Sequence, residues 1–168
     1  MIGAPGETDI TRAKTAYMKE LVGGFPVTWL YEDLFGCVQK TIRCSEKDTP
    51  LVYHVLRETG GPYQATNQLC TDPSIITLMP NDGSVFLAFQ INETTCSGHV
   101  FVLPKYRGSR AEQAEREAIR WVINNTQYKT VLGFTKQKDR HIIDFHKRVG
   151  MKEVCAIDDQ VIFAWENK

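Results

Sequence analysis

The stretch VFVLPKYRGSRA, residues 100–111, decides how this chain folds, because it leads from an apolar segment through a glycine-containing turn into a helix. Residues 100–103 are apolar, with β-branched and aromatic side chains that suit a buried strand. Pro104 has no amide proton and ends the strand, whereas Gly108 permits a tight turn. The following helix, predicted over residues 112–125, begins with amides that lack intrahelical partners.

The start of this helix is a candidate anion site. Free amides and the positive end of the helix dipole attract phosphate groups, and Lys105, Arg107 and Arg110 place three cations around the turn. A purely structural interpretation is also available. Ser109 and Glu112 have the spacing of a capping box, in which two side chains take up the amides that a ligand needs. Both interpretations stay open at this point.

The turn resembles the central motif of the GNAT superfamily of N-acetyltransferases, Arg/Gln-x-x-Gly-x-Gly/Ala, which holds the pyrophosphate of acyl-coenzyme A. Residues 139–152 are similar to a second family pattern, Asn-x-x-Ala-x-x-Phe-Tyr-x-x-x-Gly-Phe, on a later helix and its exit. Two positions depart from the first pattern, since Arg110 and Glu112 stand where the family has Gly and Gly or Ala. A long side chain at position 110 obstructs close backbone approach, although its guanidinium can pair with the phosphate instead.

Further strands are predicted around the turn in the order that this family shows. The apolar pattern indicates two hairpins, over residues 74–91 and 154–165, and a strand over residues 130–135. Because a helix joins residues 100–103 to residues 131–134, we expect a right-handed parallel crossover between those two segments. The resemblance implies an α/β fold, α+β by some schemes, with a GNAT-like mixed, mostly antiparallel sheet, a splayed parallel pair and flanking helices.

The N-terminal part lies outside the resemblance. Residues 9–22 and 28–42 carry apolar side chains near the helical period and predict two helices. Residues 51–57 are apolar but short, so they fit either a strand or a helix.

Composition favours one ordinary domain, residues 1–168, with a divergent helical part over 1–60 and a GNAT-like core over 74–165. The 168 residues are 42% hydrophobic and have zero net charge, which offers no overall attraction to nucleic acid or anionic lipid.

There is no apolar run of about 18 residues and no signal-peptide pattern, so we expect a cytoplasmic protein without a membrane segment. Five cysteines without C-x-x-C spacing favour reduced thiols over disulfides or zinc.

The resemblance implies a reaction as well as a fold. An enzyme of this family transfers an acetyl group from acetyl-coenzyme A to an amine acceptor, which attacks the thioester directly. The resemblance also implies which residues contact the cofactor. These are the backbone of the central strand at Val100 and Val102, and the turn residues Arg107, Gly108, Ser109, Arg110 and Ala111.

Four residues are candidates for proton transfer. The family's acid is a Tyr at the position that His146 occupies, and an imidazole can donate a proton near neutral pH; His146 can equally be a surface or core-edge histidine. Glu93, Cys96 and His99 lie before or at the start of the central strand, where family members place a basic group, and no clear choice emerges among them. Strand alternation puts His99 on the face of Phe101 and puts Cys96 on the other face.

A second class of function is also compatible with the sequence. GNAT-like proteins with a divergent turn occur in tailed phages, so the alternative is a catalytically inactive GNAT-fold protein that acts as a binding or phage virion-assembly factor. Neither the acceptor, a small molecule or a protein, nor the oligomeric state is indicated. An enzyme with Arg110 and Glu112 in the turn should still bind acetyl-coenzyme A in roughly the micromolar range of ordinary substrates.

Overall fold

The computed structural model describes residues 40–166, and within this range seven strands form one sheet flanked by four α-helices. The strands are β1 Ile42–Arg43, β2 Ile76–Asn81, β3 Ser84–Gln90, β4 Thr95–Val102, β5 Thr130–Lys136, β6 Lys152–Ile157 and β7 Gln160–Glu166. The helices are α1 Thr49–Thr59, α2 Thr66–Thr71, α3 Ser109–Asn125 and α4 Arg140–Val149. The strand order is β1-β2-β3-β4-β5-β7-β6, and all neighbours are antiparallel except β4 and β5. The predicted fold class is therefore confirmed.

The parallel pair β4 and β5 is joined over a short segment only. Its register matches Thr95 with Thr130, Cys96 with Val131 and Ser97 with Leu132. Beyond that point β4 continues to Val102 and β5 to Lys136, and among residues 40–166 each of these parts is paired only with its outer neighbour. The two strands thus separate and leave a slot between them.

The predicted parallel crossover between β4 and β5 is present, and the two strands separate as the resemblance implied. The bonded segment lies at the beginning of β4, from Thr95 to Ser97, before residues 100–103. Polar or small residues, Ser97, Gly98 and His99, occupy the middle of β4, so the apolar run marks only its last three residues. Those last residues lie against the slot.

The two faces of the sheet bury separate cores. On the face of α3 and α4, one cluster includes Leu78, Phe86, Cys96, Ile119, Val131 and Phe163. On the face of α1, the other includes Val52, Leu56, Met79, Val85, Leu87 and Leu103. Side chains of β4 alternate between these faces, as expected for a strand covered on both sides.

Helix α3 lies close to the sheet through small side chains. Ala111, Ala114 and Ala118 are buried, as the helical spacing predicted. The helix begins at Ser109, earlier than the apolar pattern indicated, because Gly108 supplies the turn immediately before it.

Gly98 of β4 has no room for a side chain. A Cβ built there would lie 2.5 Å from Cζ of Phe86, whose side chain is fully buried. We expect Gly98→Ala to lower the free energy of unfolding by about 1–3 kcal/mol through overpacking, as measured by urea denaturation. Adding Phe86→Leu replaces the ring that the new methyl group would contact with a smaller side chain. The double variant should therefore lose less free energy of unfolding than the sum of the losses in the single variants. Strictly additive losses would contradict this contact.

Only part of the N-terminal predictions falls on residues that the structure describes. The helix over residues 9–22 and most of the one over 28–42 lie outside the described residues, and Ile42 begins β1 rather than ending a helix. Residues 51–57 are helical, because Pro50 begins α1 favourably and Gly60 ends it with a positive φ of 75°. The division into domains stays a prediction. Among residues 40–166, no helix is long and apolar enough to span a bilayer.

Candidate active site

The open edge of β4 presents backbone groups to the slot. The Leu103 amide donates to the Gly83 carbonyl at 2.8 Å, so odd-numbered residues of β4 direct their backbone groups toward β3. Even-numbered residues therefore direct theirs toward β5. Since the pairing of β5 with β4 ends at Leu132, the amides of Val100 and Val102 point into the slot and have no strand partner within the described part of the chain.

The turn after β4 delivers a second set of amides at the same end of the slot. A short 3₁₀ turn, Pro104–Tyr106, leads to Gly108, whose φ of 90° and ψ of −141° are readily adopted only by glycine. The amides of Ala111 and Glu112 donate back to the Gly108 carbonyl, at 3.0 and 3.2 Å. Within residues 40–166 no hydrogen bond takes up the amides of Ser109 and Arg110.

The capping box predicted for Ser109 and Glu112 was wrong. Gly108 occupies the N-cap position and Ser109 is already helical, so the serine hydroxyl makes no capping bond. The Glu112 carboxylate instead forms a hydrogen-bonded ion pair with Arg148 of α4. The side chains that would have competed with a ligand for the helix amides are therefore directed elsewhere.

The predicted cations surround this helix start. The Arg110 guanidinium lies 4.8 Å from the centroid of the Tyr106 ring, and the Lys105 amine lies 5.5 Å from it. The Arg107 Nε donates to the Val102 carbonyl at 3.4 Å, at the mouth of the slot. All three cationic side chains are exposed, so they can approach an anion without prior desolvation.

His146 lies beside the opening of the slot on the α3 and α4 face. It is buried, which excludes a surface histidine and leaves the core-edge alternative open. Its ring centroid lies 5.3 Å from that of Phe163, and its Cε1 is 3.7 Å from where a Cβ of Gly133 would be. Gly133 directly follows the last β5 residue that pairs with β4. His146 Nδ1 is 3.5 Å from Glu115 Oε1.

The candidate bases are distributed over three places. His99 packs edge-on against Phe89 on the α1 face, with ring centroids 5.7 Å apart, and partial burial lowers the pKa of His99. Cys96 is fully buried on the other face, where burial raises the pKa of its thiol to about 11. Glu93 lies in the turn between β3 and β4, on the far side of the paired segment from the slot. Only His99 of these three is near the slot.

Glu115 is not among the site residues that were predicted from the sequence. A signal was available, because Glu115 follows Ala111 by four residues and precedes Ala118 by three, which puts it on the buried face of α3. A carboxylate is rarely placed there without a partner. The partner, His146, lies on a different helix, so local spacing could not reveal it.

Several solved structures share this architecture. The GNAT domain of S. lividans PAT is 10% identical with a TM-score of 0.64, over 76% of this chain and 89% of that one. A chimera of the Vibrio cholerae spermidine N-acetyltransferase SpeG and hSSAT is 10% identical with a TM-score of 0.61, over 76% and 94%. The Campylobacter jejuni N-acetyltransferase PseH, solved in complex with acetyl coenzyme A, is 11% identical with a TM-score of 0.53, over 62% and 77%.

These similarities show that the chain has the GNAT fold. By sequence, the chain belongs to a family described as a protein of unknown function, DUF2824, whose model matches residues 42–167. No curated protein matches the sequence.

Proposed function

We propose that this protein is a coenzyme A-dependent N-acyltransferase that transfers an acetyl group from acetyl-coenzyme A to an amine. The observation that carries the proposal is the open slot between β4 and β5, which ends at a helix start with free amides. PseH, which has the same fold, was solved with acetyl coenzyme A, which supports the choice of cofactor.

The pyrophosphate would bind at the start of α3. The free amides of Ser109 and Arg110 supply hydrogen bonds, and the side chains of Arg107 and Arg110 supply positive charge. Gly108 leaves the approach open, since no described atom beyond the glycine and its two chain neighbours lies within 4 Å of its Cβ position. Buried Ala111 lets α3 lie close to the sheet and so brings these donors near the slot.

The pantetheine arm would lie along the open edge of β4. The amides of Val100 and Val102 face the gap. An extended chain with amide groups can bond to the Val102 amide as an added strand does, which leaves the Val100 amide for the thioester oxygen. The thioester would then lie near Val100, where the strands separate.

The chain's own residues supply the proton transfers. Acetyl-coenzyme A brings the activated acyl group when it is bound. His99 would accept a proton from the incoming ammonium before the neutral amine attacks the thioester, and its lowered pKa favours the neutral, accepting form of the imidazole. The Val100 amide would donate a hydrogen bond to the thioester oxygen as negative charge develops there. His146 would donate a proton to the departing sulfur from the opposite face, and Glu93 has no role in this scheme.

Binding of the cofactor is testable without knowledge of the acceptor. We expect calorimetric titration with acetyl-coenzyme A to give a dissociation constant between about 1 μM and 1 mM. Gly108→Ala should weaken it about tenfold or more, because alanine rarely adopts the φ of 90° that directs the amides of Ser109 and Arg110.

Gly60→Ala is the matched control for this titration. Gly60 also has a positive φ, 75°, and an open Cβ position, but it ends α1, away from the turn. Its replacement should lower stability without changing the affinity for acetyl-coenzyme A. Absence of heat with the wild-type protein at about 1 mM ligand, the upper end of ordinary substrate affinity, would overturn the proposal.

A further inference from the structure

We infer that Glu115 is a positioning residue that keeps one proton on Nδ1 of His146, so that Nε2 is the nitrogen that donates to the substrate. The inference rests on the proposed function for its catalytic consequence. The contact itself is independent of that function.

The two side chains form a polar pair inside the core. Glu115 is 3% exposed and His146 is 8% exposed. Their nearest polar atoms, Oε1 and Nδ1, lie 3.5 Å apart. Glu115 Oε2 and His146 Nδ1 are fully buried and make no hydrogen bond within the described part of the chain. Burying an unpaired carboxylate costs several kcal/mol, so the imidazole is the group that compensates Glu115.

Neighbouring cations do not take that role. Arg116 donates from Nε to the Val149 carbonyl at 3.3 Å and from Nη2 to the Arg148 carbonyl at 3.2 Å. The Arg148 guanidinium pairs with Glu112. Both guanidinium groups nearest in sequence to the pair are therefore engaged at the end of α4.

These engaged groups also fix the geometry of the pair. Glu112 and Arg116 lie on either side of Glu115 in α3, and both bind the last turn of α4, which carries His146. A helix held at two points near its end has little freedom to rotate the imidazole away. The ring is further packed between Phe145 and Phe163.

The proton accounting follows from this geometry. The group that faces one ring nitrogen determines which nitrogen of a neutral histidine carries the proton, and the carboxylate oxygen of Glu115 lies 3.5 Å from Nδ1. When the charged imidazole gives its Nε2 proton to the departing sulfur, it retains the proton on Nδ1, which faces the carboxylate. One N–H bond is broken, one S–H bond is formed, and the ring becomes neutral.

The protonated nitrogen can be identified by ¹⁵N NMR of histidine-labelled, ligand-free protein. Spectra would be recorded at about pH 8, above the ordinary histidine pKa, and His146→Phe identifies the signals of residue 146. We expect the wild-type protein and Glu115→Gln, whose amide oxygen still accepts a bond, to carry the proton on Nδ1. Glu115→Met, of similar shape but without an acceptor, should shift it toward Nε2. A wild-type proton on Nε2 would overturn the inference whether or not any variant folds.

The second part of the test compares the kcat of the Glu115 variants with that of the wild-type protein. Glu115→Met should lower kcat roughly tenfold to a hundredfold, part of the ~10²–10⁴ that a general acid contributes, with acetyl-coenzyme A affinity unchanged. Glu115→Gln should retain most of the rate, and equal losses in both variants would contradict the positioning role. Lack of turnover by the wild-type protein would refute the proposed function, whereas the nitrogen spectra would still decide the role of Glu115.

Discussion

Replacing His146 with phenylalanine should lower kcat by about 10²–10⁴-fold, the usual contribution of a general acid, without changing the affinity for acetyl-coenzyme A. The ring of His146 lies against β5 where the slot opens, so phenylalanine fills the space but cannot donate a proton. Turnover would be followed as free thiol released with the best acceptor from a panel of amines, including spermidine, the substrate named for SpeG.

His141 provides the matched control for this substitution. It lies on the same helix but is exposed, so His141→Phe should leave both turnover and stability unchanged. Phenylalanine at position 146 also removes the partner of the buried Glu115 carboxylate. The stability of the variant therefore has to be measured in parallel. His146→Gln keeps a donor for Glu115 but cannot act as an acid, and it should be as slow as His146→Phe. A folded His146→Phe variant with the wild-type rate would refute the assignment.

Val100→Pro should lower kcat by about 10²–10³-fold, the cost of losing one donor to a developing oxyanion. The Val100 amide faces the slot and makes no bond to β3, so a proline removes no hydrogen bond of the sheet at this position. It removes only the donor that the proposed mechanism uses. Rates would be compared under saturating acetyl-coenzyme A, so that weaker binding does not enter.

Val100→Ala separates the backbone effect from the loss of the valine side chain, which packs against the core on the α3 face. This variant keeps the amide and should retain most of the rate, although it loses some stability. Thermal melting of both variants identifies any general loss of structure. Equal rates for folded Val100→Pro and Val100→Ala would show that the amide has no catalytic part.

Much of the fold could be predicted from local patterns. The hairpins, the strand β5 and the buried alanine face of α3 follow from periodicities that each segment carries by itself. The fold class required more, namely two short motifs in the right order, at residues 107–111 and 139–152. The beginning of β4 was missed because its residues are polar, yet it pairs on both sides.

The predicted site residues differ in how far the structure brings them together. Val100, Val102 and the turn residues line one continuous path, and His146 and His99 lie on opposite faces of the sheet near the separation of the strands. Glu93 is not part of this arrangement. Ser109 and Glu112 have the local spacing of a capping box, but the tertiary partner Arg148 takes the carboxylate and Gly108 takes the cap position.

The sequence by itself determined the order of strands and helices from β2 to β7, the two faces of the sheet and the glycine turn before α3, because each depends on side chains that are neighbours along the chain. The tertiary structure alone decided where β4 and β5 separate, which amides stay unpaired, and that Glu115 meets His146. Those features depend on strand register and on the packing of α3 against α4, in which residues distant in sequence compete for the same hydrogen bonds and the same buried space.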